Sequence, residues 1–227
     1  MIKLTRTIVV ILAALTLSAC VTVEPYDYTE LLAKKPTSIL VLPPINNSID
    51  VNAVPIYLST VTKPLAETGY YVFPVSIVND LMVENGLSSP AEMHDVPVSK
   101  LNEIIDPDAV LYVTINDWGT KYQVLSSTTI VDVSARLVHT DTETLLWDGS
   151  SRVVYDPNAS NQAGLLGALV GAVVGKIMSN KFDASPGVSS TANTQLFNGL
   201  NTGLLPGPYE SVVVEPSPVA PSPVAPQ

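Results

Sequence analysis

The chain has 227 residues, 46% of them hydrophobic and 14% charged, with a formal net charge of −10. That is enough apolar material for one packed domain plus a tail. The acidic balance repels nucleic acid, so no nucleic-acid partner is expected, and a single cysteine, Cys20, excludes an intramolecular disulfide.

Residues 1–19 divide as secretory signals do: a basic start at Lys3 and Arg6, an apolar stretch from Ile8 to Leu17, then the small residues Ser18 and Ala19. These small residues run directly into Cys20, and the resulting Leu-Ser-Ala-Cys is similar to a bacterial lipobox. That resemblance implies cleavage before Cys20, a diacylglyceryl thioether on its sulfur and acylation of the new amine. The competing reading is an ordinary signal peptide with a chance cysteine.

Two or three acyl chains anchor a protein stably where one does not. Val21 is not the aspartate that retains Gram-negative lipoproteins in the inner membrane, so the outer membrane is the expected location, with the domain in the periplasm. Removing residues 1–19 takes away two cations and no acid, leaving 9 basic against 21 acidic residues and a net charge of −12. With Cys20 acylated, no thiol is left for catalysis or metal binding.

Residues 20–36 carry Pro25 and Pro36 without sustained periodicity and read as a lipidated N-terminus and spacer. The expected domain spans 37–181. Ser38 to Leu42 is a short apolar run rich in β-branched residues and stopped by Pro43-Pro44, the pattern of a central strand buried on both faces.

Val54, Leu58, Val61 and Leu65 then recur at helical spacing, with Gly69 placed to cap the helix C-terminus and Pro64 as a source of a kink or early end. Tyr70 to Val75 reads as a strand. Ser76 opens a helix running to Gly86, and Asp95 with Pro97 opens another over Val98, Leu101, Ile104 and Ile105. A turn at Asp106-Pro107-Asp108 leads into the strand beginning "AVLYV".

This β-α-β-α-β start predicts parallel strands with helices packed on the sheet. Ile130 to Val138 then alternates, with Val131, Val133, Ala135 and Leu137 on one side and Asp132, Ser134 and Arg136 on the other. Followed by "HTDTET" and "LLWDGSSRVVY", it predicts an antiparallel hairpin with one buried and one wet face. The expected fold class is therefore α/β with a mixed sheet.

The apolar segment Ala163 to Met178 spaces glycine at 164, 167, 171 and 175. As a helix it would reach about 24 Å at about 1.5 Å per residue, short of the roughly 30 Å hydrocarbon core. Gly167, Gly171 and Gly175 share one helical face, which lets another backbone approach closely and offsets the propensity that glycine costs. The segment is expected either to pair with its copy in a second subunit or a larger assembly, or to close over the protein's own sheet. Residues 182–227 lose periodicity, end in "PSPVAPSPVAPQ" and read as a disordered Pro-rich tail.

Catalytic chemistry has little local support. His94 and His139 read as exposed loop histidines without acidic ligands at a metal spacing. Asp106 and Asp108 flank a proline, which suits a turn better than an acid–base pair. No G-x-S-x-G, P-loop or dinucleotide fingerprint is present. No catalytic residue, metal or cofactor is expected.

With the lipobox, "SILVLPPINNS", "YYVFPV", "PDAVLYVTINDWG", the "VSARLVHTDTETLLWDG" hairpin and the glycine-rich segment placed, the chain resembles a family of Gram-negative lipoproteins typified by a meningococcal vaccine candidate. The resemblance implies an α/β domain similar to the N-terminal domain of the translocation protein TolB and to auxiliary lipoproteins of ABC transporters, and a dimer. It also implies a neighbour similar to the curli secretion channel. The Pro-rich tail is not part of the shared pattern.

The functional expectation is a non-enzymatic outer-membrane lipoprotein in a secretion or transport assembly. Its partners would be further copies of itself and a channel-like lipoprotein or ABC transporter subunits. The competing expectation is a module that binds a lipid or other apolar ligand for an ABC transporter.

Overall fold

A computed structural model describes residues 25–122, 127–157 and 183–210. Its elements in chain order are α1 (Thr29–Lys34), β1 (Ser38–Val41), β2 (Ile45–Asn46), α2 (Ala53–Glu67), β3 (Tyr71–Val72), α3 (Val75–Glu84), α4 (Pro90–His94) and α5 (Val98–Ile105). They continue with β4 (Ala109–Tyr122), β5 (Ser127–His139), β6 (Leu145–Tyr155) and α6 (Ser185–Asn198). The strands form one mixed sheet of order β3-β1-β4-β5-β6, with β2 paired to β4. β1 is parallel to β3 and β4, and β4-β5-β6 is antiparallel. The expected fold class and the early parallel crossovers are present.

β1 lies between two neighbours, and its side chains are buried on both sides. Ile39 and Val41 join one apolar layer, whereas Leu40 joins the other with Leu42 just beyond the strand. Pro43-Pro44 removes two amide donors, ends β1 and lets the chain resume pairing with β4 at Ile45. α2 runs through Pro64 near its C-terminal end and stops at Thr68, followed by Gly69 at φ +91°. α3 begins one residue before Ser76, and the strand expected over 70–75 is confined to Tyr71–Val72.

α4, which the sequence pattern did not reveal, is held by a capping box: Glu92 N–H donates to Ser89 Oγ, and the Glu92 carboxylate accepts from Ser89 N–H. Asp106 takes a left-handed C-cap conformation at φ 58°, and the Asp108 carboxylate accepts from the backbone and hydroxyl groups of Thr37 and Ser38. The Asp106–Asp108 pair thus builds a turn and ties β1 to β4. Burial works to raise the Asp108 carboxyl, but those donors outweigh it and hold it below the ordinary carboxylate range.

Two boundaries differ from the sequence reading. Residues 25–36 are more than a spacer: Leu31 of α1 is buried, Tyr28 donates to the Gly203 carbonyl at 2.6 Å, and Tyr26 bonds Asp148 through its backbone and side chain.

Residues 183–210, expected inside a disordered tail, are folded. Val188, Ala192, Leu196 and Phe197 of α6 enter the core, and Gly207 and Tyr209 N–H groups donate to the Thr68 and Gly69 carbonyls. The reason is compositional. Beside that narrow apolar row α6 also buries Gly187, Ser189, Thr191 and Asn193, small or polar positions that dilute the hydrophobic pattern. They suit a close approach to α2, where Ser189 Oγ lies 2.7 Å from Thr60 Oγ1 and Asn193 donates to that same oxygen.

Candidate functional site

α2 and α6 cover the sheet face that carries Val113, Val133, Leu137 and Trp147. On the opposite face α3, α4 and α5 pack over Leu40, Leu42, Val110 and Tyr112 and go no further. Beyond them β4, β5 and β6 expose the polar half of their alternation. A half-open groove of about 390 Å³ lies there, between His94 at the end of α4 and the strand residues Tyr112, Thr114, Ser134, Arg136, Asp148 and Ser150.

Strand register sets the groove's chemistry. Tyr112, Arg136 and Asp148 form one cross-strand row, and Thr114, Ser134 and Ser150 form the next, a line of hydroxyls. Arg136 lies over Tyr112, with its guanidinium carbon 5.8 Å from the ring centroid. Asp148 faces Arg136 across the strands, yet its carboxylate accepts instead from Tyr26 OH at 2.8 Å, and no ion pair joins it to Arg136. Burial, with the Asp148 carboxylate beside it, pushes the Tyr26 hydroxyl up to about 12, so it stays a donor.

The neighbouring charges are neutralised. Arg152 donates to Asp132 at 2.7 Å, and Asn116 bridges Asp132 and Ser134. Of the two described arginines, Arg136 is the one without a carboxylate.

His94 corrects the expectation of an exposed loop residue. It ends α4, is half-buried, meets Tyr112 edge-on at 5.3 Å and places Nε2 at 2.9 Å from the Pro43 carbonyl oxygen. Bonding a carbonyl makes Nε2 the protonated nitrogen and leaves Nδ1 as an acceptor. Burial first, then the Arg136 charge, holds this imidazole below its ordinary range, against the pull of the Pro43 bond and Asp95. His139 is the last residue of β5, half-buried, with Nδ1 at 3.3 Å from Thr142 Oγ1. The two histidines do not come together in a site, and no cluster of three or more metal-ligating side chains occurs among the described residues.

Cys20 and the glycines Gly167, Gly171 and Gly175 lie outside the described residues. The groove residues themselves escaped the sequence reading. Arg136 and Ser134 were placed on the wet face of β5, but their partners on β4 and β6 depend on register shifts at 115/117 and 137/138 that no pattern announces.

Residues 26–209 match the family described as "Putative lipoprotein GNA1162-like", limits that nearly coincide with the first and last described residues. The chain is 45% identical over 199 residues to the lipoprotein NMB1124/NMB1162 of Neisseria meningitidis serogroup B, covering 86% of this chain and 92% of that protein. The crystal structure of lipoprotein GNA1162 from Neisseria meningitidis superposes with a TM-score of 0.54 at 46% identity, over 64% of this chain and 100% of that one. These descriptions name lipoproteins and no enzymatic activity.

Proposed function

The chain belongs to the GNA1162-like lipoprotein family, and from that premise we propose that it is an outer-membrane lipoprotein acting without catalysis in a secretion or transport assembly of the cell envelope. Membership makes it a membrane-anchored lipoprotein. No described helix is long and apolar enough to cross a membrane. Cys20 carries the acyl anchor in this proposal, and the domain faces the periplasm.

The observation that carries the assembly reading is the outer side of β6. β6 ends the strand order, and beyond Asp148, whose N–H donates to Tyr26 OH, no described backbone pairs with its outer edge. An unpaired strand edge is a template for another chain. A non-catalytic role is supported by the groove: no hydrogen bond joins Ser134 or Ser150 to His94, the contact a nucleophile and its base require. The competing apolar-ligand reading gains nothing from a groove lined by hydroxyls and charges.

A photocrosslinking residue at Val154 of the full-length protein in intact cells, with Glu67 as control position and Cys20→Ser as unanchored control, tests the proposal. Anchor-dependent crosslinks at position 154 to a channel-like lipoprotein or transporter subunits, identified by mass spectrometry, are expected. Recovery of the uncrosslinked monomer alone would refute it. Self-association through Gly167, Gly171 and Gly175 is the second part of the proposal, and an unchanged native mass in Gly171→Leu would sink it.

A further inference from the structure

We propose that the groove beside His94 binds a small hydroxylated carboxylate, of the chemical class of a uronic acid. The inference is independent of the assembly reading and rests on three features of the groove.

The first is a guanidinium kept free by construction. Asp148, the natural cross-strand partner of Arg136, is bonded by Tyr26, and Arg136 lies over the Tyr112 ring in a cation–π contact at 5.8 Å. A guanidinium with no carboxylate bonded to it has its N–H groups available, and their fork matches the two oxygens of a planar carboxylate.

The second is the hydroxyl row Thr114, Ser134 and Ser150, one rung along the sheet from Arg136. Hydroxyls both donate and accept, as the hydroxyls of a sugar acid do. The neutral His94 adds an acceptor at Nδ1 and no charge. A ligand that presents its carboxylate to Arg136 thereby lays its own hydroxyl groups along this row.

The third is charge and size. The groove offers one cation facing one anion, within a chain of net charge −10. The Asp148 carboxylate and the acidic surroundings oppose a doubly charged phosphate or a polyanion more strongly than a monoanion, whose single charge Arg136 can match. A volume of about 390 Å³ lies at the lower end of small-ligand sites, the size for one or two sugar rings.

The test is titration of the full-length protein in detergent micelles with glucuronate, glucose, acetate and inorganic phosphate, followed by calorimetry. Glucuronate should bind saturably, with glucose and acetate at least about tenfold weaker, because each lacks half of the recognised chemistry. Arg136→Gln should weaken glucuronate by about tenfold or more, and Arg136→Lys by less, since it keeps the charge without the fork.

A circular-dichroism melt verifies that each variant is folded, and Ser150→Gln, which fills the groove from an exposed position, gives a second route to the same loss. The proposal is overturned if glucuronate does not saturate, if its affinity is unchanged in Arg136→Gln and Ser150→Gln, or if acetate or phosphate binds as tightly.

Discussion

On one side of the sheet, α2 and α6 cover the strands from β3 to β6; on the other, α3, α4 and α5 cover the β3-β1-β4 half and stop at Tyr112. Both sides are built from the same two-residue alternation, so alternation decides which side chains share a face and not what covers them. Cover is set by the connections. The parallel crossovers spend α2 on one face and α3–α5 on the other, and among the described elements it is α6, after β6, that extends the first layer over the antiparallel strands. The covered side is packed so closely that a Cβ on Gly149 would lie 2.6 Å from Trp147 Cζ2 and 3.2 Å from Leu196 Cδ1. The same three strands on the other side hold a groove.

Substitutions on the two sides should accordingly differ sharply. Trp147 is fully buried, donates from Nε1 to the Thr202 carbonyl at 2.9 Å and lies 6.0 Å from the Phe197 ring. Trp147→Ala should cost about 3–5 kcal/mol in chemical denaturation; a loss under about 1 kcal/mol would mean that α6 is not seated as described.

Next comes the seat of the C-terminal segment. Gly69 has φ +91°, and a Cβ there would lie 2.3 Å from Glu210 N. Gly69→Ala should cost at least about 1–2 kcal/mol from the left-handed backbone alone, and limited proteolysis should then cut beyond Leu205 where the wild type resists.

A smaller effect belongs to the edge where cover ends. His94 sits below its ordinary value of 6.5, chiefly through burial. The unfolded chain therefore binds the proton more readily, so stability is full above 6.5 and falls as pH drops through the window beneath it. Urea denaturation at pH steps between about 7.5 and 5 should show this slope flattened in His94→Gln.

How far the sequence reached follows the same division. β1 was legible because an apolar run ending in Pro43-Pro44 has few other uses, and the Ile130–Val138 alternation named the buried side of β5 correctly, residue by residue. α6 was hidden because glycine, serine, threonine and asparagine share its buried positions with Val188, Ala192, Leu196 and Phe197, so close approach to α2 dilutes the apolar signal. The N-terminal segment was misjudged because a tyrosine pair, not a periodic stripe, fastens it. The groove stayed hidden for a third reason. Its rows are products of register between strands, and Arg136 reads as an ordinary solvated residue until Tyr26, more than a hundred positions away, is seen to take its partner.

Ser150 and Ser151 put the contrast in two adjacent residues. Ser150 points into the groove and is exposed, whereas Ser151 faces α6, is 7% exposed, and its Oγ has no hydrogen-bond partner. A buried hydroxyl without a partner has lost its water and gained nothing in exchange, so Ser151→Ala should stabilise the fold by up to about 1 kcal/mol. Ser150→Ala exchanges one solvated surface for another and should stay within about 0.5 kcal/mol of wild type. Paired urea titrations of the two variants at neutral pH measure the difference directly. If Ser151→Ala instead destabilises the protein and Ser150→Ala does not, the Ser151 hydroxyl has a partner in solution, and the layer between β6 and α6 is wetter than its apolar neighbours imply.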